Sequence, residues 1–214
     1  RERVSWITRL KTKIRNNKIK TAIGILLLVV YYFSLPRQLF ENNYSTVIES
    51  QDGQLLGAKI ASDGQWRFPK SDSVPYKFQK CIVAFEDQHF YKHFGFNPIS
   101  MYHAFKQNRK ANRVVRGGST LTQQVIRLHR NGKSRSYFEK GIEMILATRL
   151  EFRHSKDKIL ELYCAHAPFG SNVVGLEMAS WKYFGLQPHQ LSWAEAATLA
   201  VLPNAPSLIY PGKN

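Results

Sequence analysis

The chain has 214 residues, 43% of them hydrophobic, and a formal net charge of +16. That is room for one sizeable core plus an appendage, and no internal repeat or low-complexity tract makes it a solenoid or a linker. A charge this high invites nucleic acid as partner, but its placement argues against that: residues 1–20 carry eight Lys or Arg against Glu2 alone, and an uncharged run follows directly.

That run, residues 21–35 (TAIGILLLVVYYFSL), is shorter than the roughly 20 apolar residues of a comfortable membrane span. Lys18 and Lys20 can snorkel at one end, and Tyr31, Tyr32 and Phe33 suit the far interface, which lengthens its reach. A cleaved signal peptide is the rival, but Ser34-Leu35-Pro36-Arg37 lacks the small-x-small cleavage pattern. The expectation is a basic cytoplasmic tail over 1–20, an uncleaved transmembrane signal anchor over 21–36, and export of everything after Pro36. Cys81 and Cys164 sit in apolar contexts and are expected as free buried thiols, and no metal-ligand spacing of Cys or His occurs.

Residues 41–70 read as a small β connector. Residues 45–48 and 55–60 lean to strand, Asp52-Gly53 and Asp63-Gly64 are hairpin signals, and 66–69 is expected to close a meander. From residue 71 onward the chain reads as helical. Ser73 and Pro75 open a helix that Gly95 is expected to stop, which would put Glu86, Phe90 and His93 on one face at i, i+4 and i+7. Acidic side chains are mostly solvated, yet Glu86 and Asp87 lie among aromatics, where desolvation raises a carboxylate toward the range of a general base.

Asn97-Pro98 opens another helix through Met101, Tyr102 and Phe105. Residues 106–116 (KQNRKANRVVR) lack an apolar period and read as a loop or frayed end. Gly117-Gly118-Ser119-Thr120 then leads into a helix, a turn whose backbone N–H groups suit an anion, or else an ordinary capped helix. Gln123 and Gln124 add hydrogen-bonding capacity, with Arg127 one turn beyond. Ser136 and Glu139 form a capping-box pattern ahead of Lys140 and Glu143, which share a face at i, i+3. Ser155 caps the next helix and Pro168-Phe169-Gly170 breaks it. A helix over 173–184 ends at Gly185, and Ser192 with Glu195 boxes a last one that stops at Pro203.

Five stretches, in this order, resemble the peptidoglycan glycosyltransferase domain (glycosyltransferase family 51) of class A penicillin-binding proteins. They are Glu86-Asp87 with Phe90, His93 and Gly95; the run from Gly117 to Gln124; Lys140 with Glu143, Ala147, Leu150 and Glu151; the run from Ser155 to Tyr163; and Gly175 with Ala179, Ser180, Tyr183, Phe184 and Gly185. The likeness covers roughly residues 45–210, and the 63–67 connector and 167–170 turn look most like the 1C type. It implies a mostly α-helical, lysozyme-like domain over 71–214 that polymerises lipid II on the outer face of a bacterial inner membrane. Glu86 and Glu143 would be catalytic. Asp87, Phe90, His93, Gly118, Ser119, Thr120, Gln123, Gln124, Arg127 and Lys140 would bind substrate.

Partners implied are lipid II, the growing glycan chain, inner-membrane lipids and cell-wall synthesis proteins, with no nucleic acid. No tightly bound cofactor is implied, a divalent cation (Mg or Mn) beside Glu143 being the one option. Such domains continue into a transpeptidase domain, and the expectation is a chain that stops before it. Two positions depart from the family pattern: Glu139 stands where a cation is usual, and Ala165 stands where an Asn is usual. They keep a weak or inactive lipid II-binding scaffold open as an alternative, beside a lysozyme-like glycan hydrolase.

Overall fold

The structure, a computed structural model, describes residues 17–41, 43–69, 73–115, 117–132 and 136–204. The chain divides after Arg37 into two units. In the first, helix α1 (Lys18–Tyr32) has 15 residues and buries none of them. Ile23, Leu26, Leu28 and Val30 are all more than half exposed, so the helix is apolar around its circumference instead of along one stripe. At 1.5 Å per residue its length is roughly 23 Å, short of the roughly 30 Å of a hydrocarbon core. Among the described residues no helix is long and apolar enough to cross a membrane. The basic tail lies outside the described residues up to position 16.

The second unit begins with the hairpin of β1 (Thr46–Glu49) and β2 (Leu55–Lys59), antiparallel with Val47 facing Ala58 and Ile48 facing Gly57. Gly53 turns it with a positive φ of 75°. The expected third strand does not join this sheet. Trp66 pairs instead with Val173 in an isolated parallel bridge, donating its N–H to Asn172 O (2.8 Å) and accepting from Val174 N–H (2.9 Å). Those bonds tie the connector to the helical body. Arg67, 6% exposed, fastens it further through Asp63 (3.0 Å) and the Asn43 carbonyl (2.7 Å).

The body comprises α2 (Tyr76–Glu86), α3 (Pro98–Ala111), α4 (Leu121–His129), α5 (Tyr137–Arg153), α6 (Lys156–His166), α7 (Leu176–Phe184) and α8 (Trp193–Val201). Helix α4 is its hub. It packs on both α5 and α6, while α2 packs on α8. Leu121, Val125 and Ile126 of α4 are wholly buried, as are Ala147 and Leu150 of α5 and Ile159 of α6. Gly95 lets the chain pass α5 closely, since a Cβ there would lie 2.7 Å from the Ala147 carbonyl carbon and its φ is +86°.

Four helix starts set by local capping fall where the sequence places them, whereas Ser73 does not cap α2, whose N-cap position is Pro75 with no side-chain cap bond. Asn97, Ser136, Ser155 and Ser192 each accept from a backbone N–H three residues on. Other boundaries differ. Helix α2 ends at Glu86 and not at Gly95, because Asp87 leaves helical backbone at φ −157° and its carboxylate is drawn to α4. Glu86, Phe90 and His93 therefore do not share a helical face. Helix α3 continues through the basic residues to Ala111 and stops on Asn112, in the left-handed region; Arg116 lies outside the described residues. Helix α7 starts only at Leu176, residues 173 and 174 being used in bridges.

Candidate active site

Thr120 and Gln123 open α4 with a capping box. Thr120 Oγ1 accepts the Gln123 N–H (3.1 Å) and Gln123 Oε1 accepts the Thr120 N–H (3.0 Å). The same Thr120 hydroxyl donates to Gly95 O (2.6 Å). Asp87 Oδ2 accepts the Leu121 N–H (3.1 Å) and faces His93 Nε2 at 2.8 Å. A helix N-terminus attracts an anion, and here the protein supplies its own. Of the two readings of the turn before α4, the capped helix start is present, with the Leu121 N–H engaged by Asp87. Phe90 and Gln123 are 0% exposed and Thr120 is 2% exposed, so these side chains are packed inside the fold. Gly118 acts through packing, as a Cβ there would lie 3.1 Å from Ala104 Cβ.

The other side of α4 carries different chemistry. Gln124 Nε2 donates to Glu86 Oε2 (2.8 Å). One turn on, Arg127 donates from Nε and Nη2 to the two Glu143 oxygens, 2.8 Å each, a bidentate fork. Arg127 Nη2 also reaches Ser119 Oγ (3.2 Å), to which Lys140 Nζ donates as well (2.5 Å). Residues at i, i+3 share a helix face. Glu86, at the end of α2, and Glu143, on α5, are thus both held from one face of α4, with two cations meeting at Ser119.

Burial pushes the Glu86 carboxyl above its usual range, the Asp87 charge adds to this, and the Gln124 hydrogen bond partly opposes it. The hydrogen bonds to Glu143 raise Arg127. Glu139 caps α5 through its backbone alone. Its carboxylate reaches Arg130, one turn beyond Arg127, in place of the reciprocal bond of a capping box. The Arg127–Glu143 and Arg130–Glu139 pairs form two rungs between α4 and α5, with Lys140 beside them at Ser119.

A divalent ion does not fit this donor set. Both Glu143 oxygens accept from Arg127, and among the described residues no three His, Cys, Asp or Glu side chains come together to hold a metal. Cys81 and Cys164 are free thiols; Cys164 is buried as expected, Cys81 only partly, and burial pushes both up. Ala165 lines a separate cavity with Phe68, Pro75, Cys164 and Leu176, and that cavity shares no residue with the Glu86–Glu143 cluster.

Sequence reasoning passed over Thr122 and Lys156, which both donate to Glu151 Oε1 at 2.6 Å. A Thr inside the apolar face of α4 was the signal for that buried bond.

A family profile described as Transglycosylase matches residues 52–214. Penicillin-binding protein 1C of Escherichia coli (strain K12) is 41% identical over 83% of this chain and 23% of its own length. Penicillin-binding protein 1A of Aquifex aeolicus (strain VF5) is 35% identical over 88% of this chain and 26% of its own. The Biosynthetic peptidoglycan transglycosylase of Ralstonia nicotianae is 32% identical over 86% of this chain and 80% of its own. The chain spans about a quarter of the length of these two penicillin-binding relatives.

Proposed function

The chain belongs to the Transglycosylase family, and from that membership we propose that it polymerises lipid II into glycan strands by inverting transfer. Glu86 is the general base. It takes the proton from the 4-hydroxyl of the lipid II GlcNAc as that oxygen bonds to the anomeric carbon of the growing chain's terminal MurNAc. The bond from that carbon to undecaprenyl pyrophosphate breaks, and the diphosphate leaves with the electron pair. A base in this role contributes roughly 10²–10⁴-fold, and stabilising the charge on the leaving group often contributes more.

Lys140 and Arg127, meeting at Ser119, supply that stabilisation. Glu143 acts through Arg127, fixing the plane of the guanidinium, and no step runs through a metal. Asp87, His93, Thr120 and Gln123 set where the end of α2 meets α4, while Gln124 orients Glu86. The observation that carries this reading is the pair of carboxylates held from one face of α4 with cations beside them.

The domain is read as lysozyme-like, on the outer side of a bacterial cytoplasmic membrane, with the N-terminus inside and residues 21–36 as a single anchor. The apolar girth of α1 supports the anchor. Ile99, Tyr102 and Phe105 on α3, all more than 60% exposed and followed by Lys106, Arg109 and Lys110, support contact with the outer leaflet. Each basic residue near an anionic surface is worth about 1 kcal/mol. Incubation of the protein with labelled lipid II tests the reading. Long glycan is expected; cleavage of preformed glycan would make it a hydrolase, and lipid II bound without product would make it a scaffold.

A further inference from the structure

Helices α4 and α5 meet through charge as well as packing. Arg127 and Arg130 stand one turn apart at the C-terminal end of α4, and Glu143 and Glu139 one turn apart on α5. They pair across the seam, Arg127 with Glu143 (2.8 Å) and Arg130 with Glu139 (2.5 Å). The two pairs are not equivalent. Arg127 makes a bidentate fork and also reaches Ser119 Oγ (3.2 Å), where Lys140 Nζ arrives at 2.5 Å. Arg130 meets Glu139 through one nitrogen and one oxygen, Nη2 to Oε2, and both side chains are about a fifth exposed, 20% and 22%. An ion pair that water can reach adds little to the stability of a fold.

What the outer pair does is place a carboxylate next to the cations at Ser119. Glu139 immediately precedes Lys140 on α5. Arg130 follows Arg127 by one turn, an offset of about 5 Å along the axis of α4. That is less than the Debye length of about 8 Å in physiological salt, so an anion held by the inner pair feels the charge of the outer one. With Glu139 in place, Arg130 adds no net charge to the cluster. Without it, Arg130 would add one positive charge.

We propose that Glu139 is a specificity-determining residue that limits how tightly the Lys140–Ser119–Arg127 cluster holds a diphosphate. Its carboxylate cancels Arg130, so a diphosphate at Ser119 meets less positive charge than the end of α4 could supply. The effect is electrostatic: Glu139 touches no reacting atom and nothing has to move. It also has a use. A grip that tightens on substrate and transition state alike lowers KM without raising kcat, and a leaving group held too firmly is slow to depart. The inference rests on the reading of this cluster as the diphosphate site.

The test compares the wild type with Glu139→Gln, Arg130→Gln and the double variant. KM for lipid II and the inhibition constant of inorganic pyrophosphate are measured for each in low and in high salt. In low salt Glu139→Gln should lower both constants about threefold, and Arg130→Gln should raise both by a similar factor. The double variant removes equal and opposite charges and should return close to the wild type. At about 1 M salt, where the Debye length is about 3 Å, the four proteins should converge. A pair that serves only to join α4 to α5 gives a different order, the double variant being as impaired as either single one. That order would overturn the proposal, as would a Glu139→Gln protein with both constants unchanged in low salt. A wild-type protein that makes no glycan from lipid II would instead remove the reading on which the proposal rests.

Discussion

Glu86 closes α2 with one carboxylate oxygen accepting from Gln124 and the other unengaged, whereas its neighbour Asp87 uses a single oxygen for both the Leu121 N–H and the His93 ring. The same contrast runs the length of α4. On its buried side Thr120 and Gln123 close a box in which every bond is local or backbone-directed. On its half-buried side Gln124 and Arg127 reach side chains from α2 and α5. Polar groups bonded to backbone or to their own cap hold elements in register, while groups with spare capacity in a desolvated place are the ones able to take up a proton or an anion. Two acids adjacent in sequence thus fall into different classes: Asp87 is tied to a backbone amide and a ring, Glu86 to one side-chain amide.

Exchanging each acid in turn sharpens the comparison. Glu86→Gln should lower the rate of polymerisation by about 10²–10⁴-fold with the fold intact. Its stability effect has a definite sign. The folded-state carboxyl is raised from 4.5, so whatever Glu86 adds to stability is present below that value and is lost as pH rises through the raised one. The Gln variant should therefore melt at or above the wild type near pH 7, with the gap closing in acid.

Asp87→Ala should do the reverse. It leaves the Leu121 N–H and the His93 ring buried without their acceptor, at a cost of about 3 kcal/mol in denaturant unfolding, and activity should fall with the folded fraction. An Asp87→Ala protein of normal stability would break the contrast. Glu143→Gln lies between the two. Losing one arm of the fork to Arg127 should cost about 2 kcal/mol and lower kcat more than it raises KM, since Arg127 is then free to leave Ser119. Unchanged kcat would show that Arg127 needs no partner to do its work.

Much of this was legible in the sequence where bonds are local. Asn97, Ser136, Ser155 and Ser192 cap because an oxygen meets an N–H three residues on, and a pattern of four residues reveals that. The Thr120-x-x-Gln123 pattern is the same signal. Read that way, it would have separated the structural Gln123 from Gln124, which faces Glu86. The end of α2 was not legible, since Asp87 is turned out of the helix by an amide 34 positions away. Nor was the partner of Glu139, which the sequence offers to its own cap and the fold gives to Arg130. Trp66 went to Val173 instead of the hairpin for the same reason: the competing partner is far along the chain. The ordered motifs supplied the candidate residues. Which of their side chains face inward depended on packing that no short pattern encodes.

The pH dependence of kcat/KM for lipid II polymerisation, measured on the wild type and on Glu86→Gln together, bears most directly on Glu86 as a desolvated base held from α4. The account predicts a wild-type acid limb above the ordinary carboxylate range, and a small residual rate in the Gln variant that is flat across it. A Gln variant that keeps both the rate and the limb would contradict it.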